Sequence, residues 1–150
     1  MSRIFRCPIE NRLMSSSDGV LDLFEMVVGA NNKSRLMKFR FESDKVAAEI
    51  VRLRLVRRST TGTGGAAGVV AKNEEESGSA TTAVNFDVTS PGTIGAIHQA
   101  YQWEQLGPLE EIFLPEERLL ADDGTRLCLE AVAGFTTDSS ISGYVVWREE

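Results

Sequence analysis

Gly124–Val132 (GTRLCLEAV) and Ser142–Trp147 (SGYVVW) are the two stretches that decide the fold of this chain. Both are rich in aliphatic, β-branched and aromatic residues, and both are too short for an amphipathic helix but suit a β-strand. The residues between them are mostly small or polar, as expected of a turn-rich loop. The pair predicts two neighbouring or facing strands of one β-core, with Cys128 and Trp147 as packing residues.

Further strands are predicted upstream of this pair. Val20–Val28 is apolar on both faces, which is typical of a central strand. Arg35–Ser43 and Ile50–Arg57 alternate apolar and charged residues, as half-buried strands do. The remaining candidates are Val84–Val88, Ile94–Trp103, Leu109–Leu114 and Leu119–Leu120. About eight short strands with turn signals between them predict an all-β fold, a jelly roll or β-sandwich.

Length and composition favour one folded domain over residues 1–150. The apolar content of 42% and the charged content of 25% are those of a globular chain. No apolar run approaches the roughly 20 residues that cross a bilayer, and Met1–Pro8 lacks the apolar core of a signal peptide. Only two cysteines occur, so no disulfide framework is expected. These features predict synthesis in a reducing cytoplasm and no membrane partner.

Two segments are predicted to be poorly ordered without a partner. Residues 59–79 form a long surface loop rich in Gly, Ser and Glu, with too little apolar area to offset the entropy of ordering. Residues 1–14 are interpreted as an N-terminal arm. Segments of this kind often order on a partner, so both are predicted to be contact arms. The loop contributes four candidate interface residues, which are Gly64, Gly65, Glu74 and Glu75.

Charge is distributed unevenly along the chain. Residues 1–58 contain 12 Lys and Arg against 7 Asp and Glu, whereas residues 59–150 contain 4 against 15, for a net charge of −6. A basic face for nucleic acid is one interpretation, but the aromatic residues that would stack on bases lie on the opposite face of the strands. An arginine-rich face that binds an acidic protein is favoured. Its candidate residues are Arg52, Arg54, Arg57 and Arg58.

Three motifs suggest chemistry, and each is better explained structurally. Gly62–Ala67 fits G-x-G-x-x-A, but no helix is predicted after it to bind a pyrophosphate. His98 is the only histidine and is expected to be half-buried on a strand; a small enzyme using it with Glu104 or Asp87 is the weaker alternative. Asp122-Asp123-Gly124 suits a tight turn, with calcium as the alternative. We therefore expect no catalytic residues, no cofactor and no metal.

Five segments carry a resemblance to a known family: Leu21–Met26 (LDLFEM), Leu53–Arg58 (LRLVRR), Phe113–Arg118 (FLPEER), Gly124–Leu129 (GTRLCL) and Ile141–Glu150 (ISGYVVWREE). Their order, with the Gly/Ser/Thr-rich loop after the second, resembles jelly-roll capsid cement (decoration) proteins of tailed bacteriophages. The resemblance implies a homotrimer on the outside of the capsid that clamps neighbouring major capsid subunits. It implies no catalytic residues.

The expected function is therefore that of a virion structural protein whose partner is the major capsid protein, with no direct contact to nucleic acid. The alternative is a carbohydrate- or receptor-binding β-sandwich of a head fibre or tail component. Exposed Tyr101, Trp103 or Tyr144, rimmed by carboxylates, would favour that alternative.

Overall fold

The computed structural model describes residues 3–72 and 78–150 and consists of β-strands joined by turns. The strands are β1 Arg3–Met14, β2 Leu21–Val27, β3 Lys33–Ser43, β4 Ile50–Arg58, β5 Ala66–Ala67, β6 Ala71–Lys72, β7 Ala83–Val88, β8 Ile94–Glu104, β9 Leu109–Ile112, β10 Leu120–Asp122, β11 Arg126–Ala131 and β12 Ser139–Glu149. One short 3₁₀ turn, Ser16–Asp18, follows β1. The described part of the chain has no helix long and apolar enough to cross a membrane.

The strands form two antiparallel sheets that pack face to face. Sheet A has the order β10-β3-β12-β1-β6, with β9 also paired to β3, and sheet B has the order β5-β7-β2-β11-β4-β8. The main pairs are nested along the chain: β1 with β12, β2 with β11, β3 with β9 and β10, and β4 with β8. Successive pairs alternate between the two sheets. This is a β-sandwich wound as a jelly roll, and the predicted fold class is confirmed.

The core lies between the sheets and is aromatic at its centre. Phe24 of β2 contacts Phe39 and Phe41 of β3, with ring centroids 5.6 and 6.1 Å apart. Trp147 of β12 stacks on Phe5 of β1 at 5.9 Å. All five side chains are buried. The predicted packing role of Trp147 is confirmed, and alternation along each strand explains why these rings share one layer.

A β-bulge changes the predicted face of one core candidate. The alternation of β3 predicts Met37 on the same side as Phe39 and Phe41. In the structure the pairing with β12 shifts between Val146 and Trp147, and Leu36 takes the inward position opposite Trp147. Met37 instead lies on the outer surface of sheet A, beside Val146. The extra residue of a bulge reverses the alternation beyond it, and a sequence pattern does not reveal this.

The predicted N-terminal arm is wrong for the described residues, because residues 3–14 form β1. This strand pairs with β12 along nearly its whole length and with β6 on its other side. Phe5, Cys7 and Met14 are buried in the core. A register shift between Ile9 and Arg12, with Asn11 at φ +47°, interrupts the alternation. This irregularity obscures the strand pattern in the sequence.

The described part of the predicted loop 59–79 is also more ordered than expected. Residues 59–63 run antiparallel to residues 90–93, with backbone hydrogen bonds from Ser59 N to Thr93 O (3.0 Å) and from Thr63 N to Ser90 O (2.9 Å). We call these two segments the ribbon. Beyond it, β5 pairs with β7 and β6 pairs with β1. The ribbon thus continues the pairing of β4 with β8 beyond the ends of these strands. Through β5 and β6 the chain after the ribbon is hydrogen-bonded to both sheets.

Candidate protein-binding surfaces

The four arginines predicted to form one contact face have different environments. Arg52 is exposed on the outer side of sheet B. Arg54 forms an ion pair with the buried Glu130, with 2.6 Å between Nε and Oε1. Arg57 donates a hydrogen bond to the carbonyl of Leu120, at 2.5 Å. The structure therefore does not bring these four charges together on one accessible face.

Arg58 is wrong as an interface residue because its side chain is only 2% exposed. Its guanidinium donates to both carboxylate oxygens of Asp22, at 2.7 and 3.0 Å, and also contacts Glu130. Nη1 donates to the carbonyl of Gly92 in the ribbon, at 2.8 Å. The ribbon also donates from the Gly62 amide to Glu25, and the carboxylates of the network are buried. Arg58 is a structural residue that ties the ribbon to the sheet.

Burial and pairing act in opposite directions on the pKa values of this network. Burial disfavours the charged form of Asp22 and raises its pKa, although the hydrogen bond and charge of Arg58 partly offset this. Burial opposes the charge of Arg58 as well, but the hydrogen bond and charge of Asp22, together with the hydrogen bond to Glu130, outweigh it and raise the pKa of Arg58. Arg58 therefore remains a cation inside the protein, and its partners depend on that charge.

The network region contains three residues of types that bind metals. The ligand atoms of Asp22, Glu25 and Cys128 lie within 4.8 Å of one another. Both oxygens of Asp22 already accept bonds from Arg58. The oxygens of Glu25 accept from the Gly62 amide at 2.8 Å and from the Asn85 side chain at 3.3 Å. Burial raises the pKa of the Cys128 thiol, which keeps it protonated. The arrangement fits an internal salt-bridge network better than a cation site.

The acidic turn that suggested calcium is held by its own side chains. Thr125 Oγ1 donates to the carbonyl of Asp122 at 2.9 Å, and its amide donates to the same carbonyl at 3.0 Å. Gly124 has φ +86°, the left-handed conformation that favours glycine. These bonds give Asp122-Asp123-Gly124 a role as the turn between β10 and β11.

The loop residues predicted at the interface divide into two pairs. Gly64 and Gly65 have φ of +80° and +78°, and a Cβ on Gly65 would lie 2.2 Å from the carbonyl oxygen of Phe86. These glycines allow the backbone to turn from the ribbon into β5 and to approach β7 closely. Their role in partner contact stays a prediction. Glu74 and Glu75 lie outside the described residues.

The edge formed by β8 is the most exposed part of either sheet among the described strands. Its residues from Ile94 to Ala100 are all exposed, and Ile97 is 54% exposed. The strand pairs with β4 on one side and has no described partner on the other. It contains no Lys, Pro or acidic residue before its last position, although natural proteins use such residues to protect an edge. We call Ile94–Ala100 the open edge.

His98 lies on the open edge and is exposed rather than half-buried, contrary to the sequence-based expectation. It lines a cavity of about 370 Å³ with Glu111 and Glu117. Partial desolvation lowers its pKa, and the charge of Arg57 lowers it further. The carboxylates proposed as its catalytic partners are elsewhere: Glu104 ends the same strand, and Asp87 on β7 is paired with Arg12 at 2.9 Å. The structure does not assemble the proposed enzyme site.

The basic residues of β3 belong to a different face from those of β4, because the two strands lie in opposite sheets. Lys38 lies on the outer surface of sheet A, in a groove that Arg6 and Arg118 also line. We call this the basic groove. Arg6 and Arg118 were not predicted as site residues, because Arg6 lies in the predicted arm and Arg118 lies between two predicted strands. Only the outward position of Lys38 in the β3 alternation signalled this surface.

The aromatic residues that would support carbohydrate binding are not presented as an exposed platform. Trp103 is 2% exposed and donates from its indole nitrogen to the carbonyl of Gly107, at 2.8 Å. Tyr101 packs edge-on against Phe39 inside the sandwich. Tyr144 is half-buried, and its ring is flanked by the cations Arg6 and Lys38. The carbohydrate-binding alternative is weakened by these positions.

Comparison of the chain with protein-family models, with curated proteins and with solved structures found no match.

Proposed function

We propose that this chain is a virion structural protein of a tailed bacteriophage that decorates the outside of the capsid. In this proposal it is synthesised in the host cytoplasm, assembles as a homotrimer and clamps neighbouring major capsid subunits. It acts through protein contacts and carries out no catalytic step.

The observation that carries the proposal is the open edge of the jelly roll. An edge strand with exposed apolar residues offers both backbone hydrogen-bonding groups and apolar side chains to another chain. Ile94 and Ile97 are exposed there, and the strand has no described partner on its outer side. Such an edge is a liability in a protein that stays monomeric, and it is useful in one that assembles. The resemblance of the strand sequences to capsid cement proteins supports the same conclusion.

A clamp of this kind stabilises a shell by adding contact area across the joints between subunits. A standard protein interface buries roughly 1,600 Å². Many copies bound around one closed shell act together, since each remaining contact holds neighbouring subunits while another opens. The shell then withstands a higher internal pressure before it ruptures.

Light scattering on the purified chain tests the assembly state. We expect a mass about three times 16.4 kDa for the wild-type protein. Ile97→Lys places a charge on the open edge and should shift the mass towards that of a monomer. Val46→Lys is the matched control, because Val46 is 96% exposed on the connection between β3 and β4. This variant should keep the wild-type mass.

Sedimentation with capsids that lack the protein tests the function itself. We expect the wild-type chain to pellet with the shells and to appear as added density on their outer surface in electron micrographs. A wild-type protein that is monomeric and stays in the supernatant would refute the proposal.

A further inference from the structure

The basic groove on the outer surface of sheet A has a cationic wall and an apolar floor. Arg6 of β1, Lys38 of β3 and Arg118 of the β9–β10 connection supply the charges. Its volume is about 260 Å³. The apolar residues that line it are Ile4, Met37, Ile112, Phe113 and Val146. The bulge in β3 brings Met37 to this surface, so tertiary structure and not alternation creates the floor.

The three cations of the groove differ from Arg35, Arg40 and Arg148 on the same face. Arg35 and Arg148 both pair with Glu150, at 2.7 and 2.6 Å, and Arg40 pairs with Glu42 and Glu110. Within residues 3–72 and 78–150, no carboxylate forms an ion pair with Arg6, Lys38 or Arg118. The Nε atoms of Arg6 and Arg118 are buried from solvent and have no hydrogen-bond partner there. The positive charge of the groove is therefore available to a ligand, whereas the charges of Arg35, Arg40 and Arg148 are paired.

Tyr144 holds two of these cations in place. The guanidinium carbon of Arg6 lies 4.6 Å from the centre of the Tyr144 ring, and Lys38 Nζ lies 5.2 Å from it. Such cation–π contacts restrict the rotamers of long side chains before any ligand arrives. A ligand that binds preordered charges loses less free energy to ordering them.

The surroundings of the groove discriminate between anionic partners. A nucleic-acid backbone needs a continuous row of cations along its phosphates. Here Glu42, Glu110 and Glu150 lie on the same outer face, and the whole chain has a net charge of −6. A phosphate backbone would also leave the apolar residues of the groove without an apolar side chain to contact. A short polypeptide that carries carboxylates beside an apolar side chain satisfies both the wall and the floor.

We propose that the basic groove binds an acidic segment of the major capsid protein, with an apolar side chain on the floor and carboxylates at Arg6, Lys38 and Arg118. This inference rests on the proposed function for the identity of the partner. The groove lies on sheet A and the open edge on sheet B, so one surface binds the shell while the other joins copies of the chain.

A synthetic probe tests the groove without capsids. The probe is a fluorescein-labelled short peptide of alternating Glu and Leu, and its binding to the full chain is measured by fluorescence anisotropy. Arg6→Glu and Arg118→Glu should each weaken binding about tenfold, since each replaces an attraction by a repulsion in a partly desolvated site. Arg52→Glu makes the same change in net charge at an exposed arginine on sheet B and should alter the affinity less than about twofold.

Two further probes separate the groove from general attraction. A peptide of alternating Lys and Leu should not bind, and a single-stranded oligonucleotide should bind more weakly than the acidic peptide. Equal loss of affinity in Arg52→Glu and Arg6→Glu, or tighter binding of the oligonucleotide, would overturn the inference. Unfolding curves of each variant check that the fold is kept, and Arg118→Glu, outside any strand, remains informative if Arg6→Glu is unstable.

Sedimentation with capsids separates the two proposals. Both proposals are supported if the wild-type chain and Arg52→Glu pellet with the shells, whereas Arg6→Glu and Arg118→Glu stay in the supernatant. If all variants pellet equally, decoration stands and the groove is not its contact. If the acidic peptide binds in the groove but no protein pellets, the decoration function fails, and the identity of the partner fails with it. Binding of the peptide only to assembled trimers, across two copies, would likewise overturn the single-groove site.

Discussion

Arg58 shows at the level of one residue how burial changes the role of a charge. In the sequence it is one of a run of arginines on an alternating strand, and each of them is a candidate for partner contact. In the structure its guanidinium satisfies Asp22, Glu130 and a ribbon carbonyl at once. A buried ion network of this kind adds little compared with an apolar core, but removing one member leaves the others uncompensated.

Arg58→Met should therefore destabilise the protein by about 3–5 kcal/mol, because Asp22 and Glu130 lose their shared cation in a buried site. The urea concentration at the midpoint of unfolding measures this. Arg52→Met is the matched control at an exposed arginine without an ion pair among the described residues, and it should change stability by less than about 0.5 kcal/mol.

A second substitution identifies the cause of the lost stability. Asp22→Asn combined with Arg58→Met should recover part of the stability, since it removes one of the stranded charges. Equal midpoints for Arg58→Met and the wild type would mean that the network is accessible to water, contrary to the structure.

At the level of elements, the ribbon and β5 depend on glycines that permit close backbone approach. Gly65 has φ +78°, and its ideal Cβ would lie 2.2 Å from Phe86 O and 2.4 Å from Asp87 O on β7. Because these are backbone atoms of a paired strand, they have little freedom to move aside. Gly124 has a similar φ of +86° but open space around its Cβ position. A side chain at either position has the cost of the left-handed conformation, but only at Gly65 does its Cβ also clash with neighbouring backbone atoms.

Gly65→Ala should consequently destabilise the protein by about 3 kcal/mol or more. Gly124→Ala should destabilise it by about 1–2 kcal/mol, because only the cost of the left-handed conformation applies there. Chemical denaturation of the two variants beside the wild type gives both values. Amide hydrogen exchange should show the extra loss of Gly65→Ala as faster exchange in β5 and β7. If the two variants are equally stable, β5 does not pack against β7 as described.

At the scale of the whole molecule, the nested strand pairs join distant parts of the chain. β1 pairs with β12, so residues near the two ends of the sequence form adjacent strands in the middle of sheet A. β1 also contributes Phe5, Cys7 and Met14 to the core. An arm can be removed without loss of the fold, whereas a central strand cannot.

Deletion of residues 1–14 should abolish cooperative unfolding, because β12 loses its pairing partner and the core loses three buried side chains. Near-ultraviolet circular dichroism and the dispersion of amide NMR signals report this directly. A synthetic peptide of residues 3–14 should restore both when added in trans, by completing the sheet. Pro8→Ser changes an exposed side chain of the same strand and should keep the fold. A truncated chain with the wild-type unfolding midpoint would mean that β1 is dispensable.

The predictions from sequence succeed where alternation is regular and fail where the backbone is irregular. β2, β3, β4, β8, β11 and β12 lie within or close to their predicted segments. β1 was missed because Pro8 and the shift between Ile9 and Arg12 interrupt its pattern. The ribbon was missed because its small polar residues give little hydrophobic signal, and its order comes from hydrogen bonds to distant segments.

The candidate site was less predictable than the fold, because a surface depends on which strands become neighbours. The sequence by itself determined the all-β class, the central position of β2 and the burial of Trp147, since local alternation and apolar runs encode them. Only the tertiary structure decided that the closing strands Arg126–Ala131 and Ser139–Glu149 belong to opposite sheets, with Cys128 buried beside Asp22 and Glu25 and Trp147 in the core between the sheets. It also separated the arginines of β4 from Lys38 and gathered Arg6, Lys38 and Arg118 into one groove. The physical reason is that alternation indicates only the side of its own strand on which a side chain lies. A binding surface also depends on which other strands and loops the fold places beside that strand.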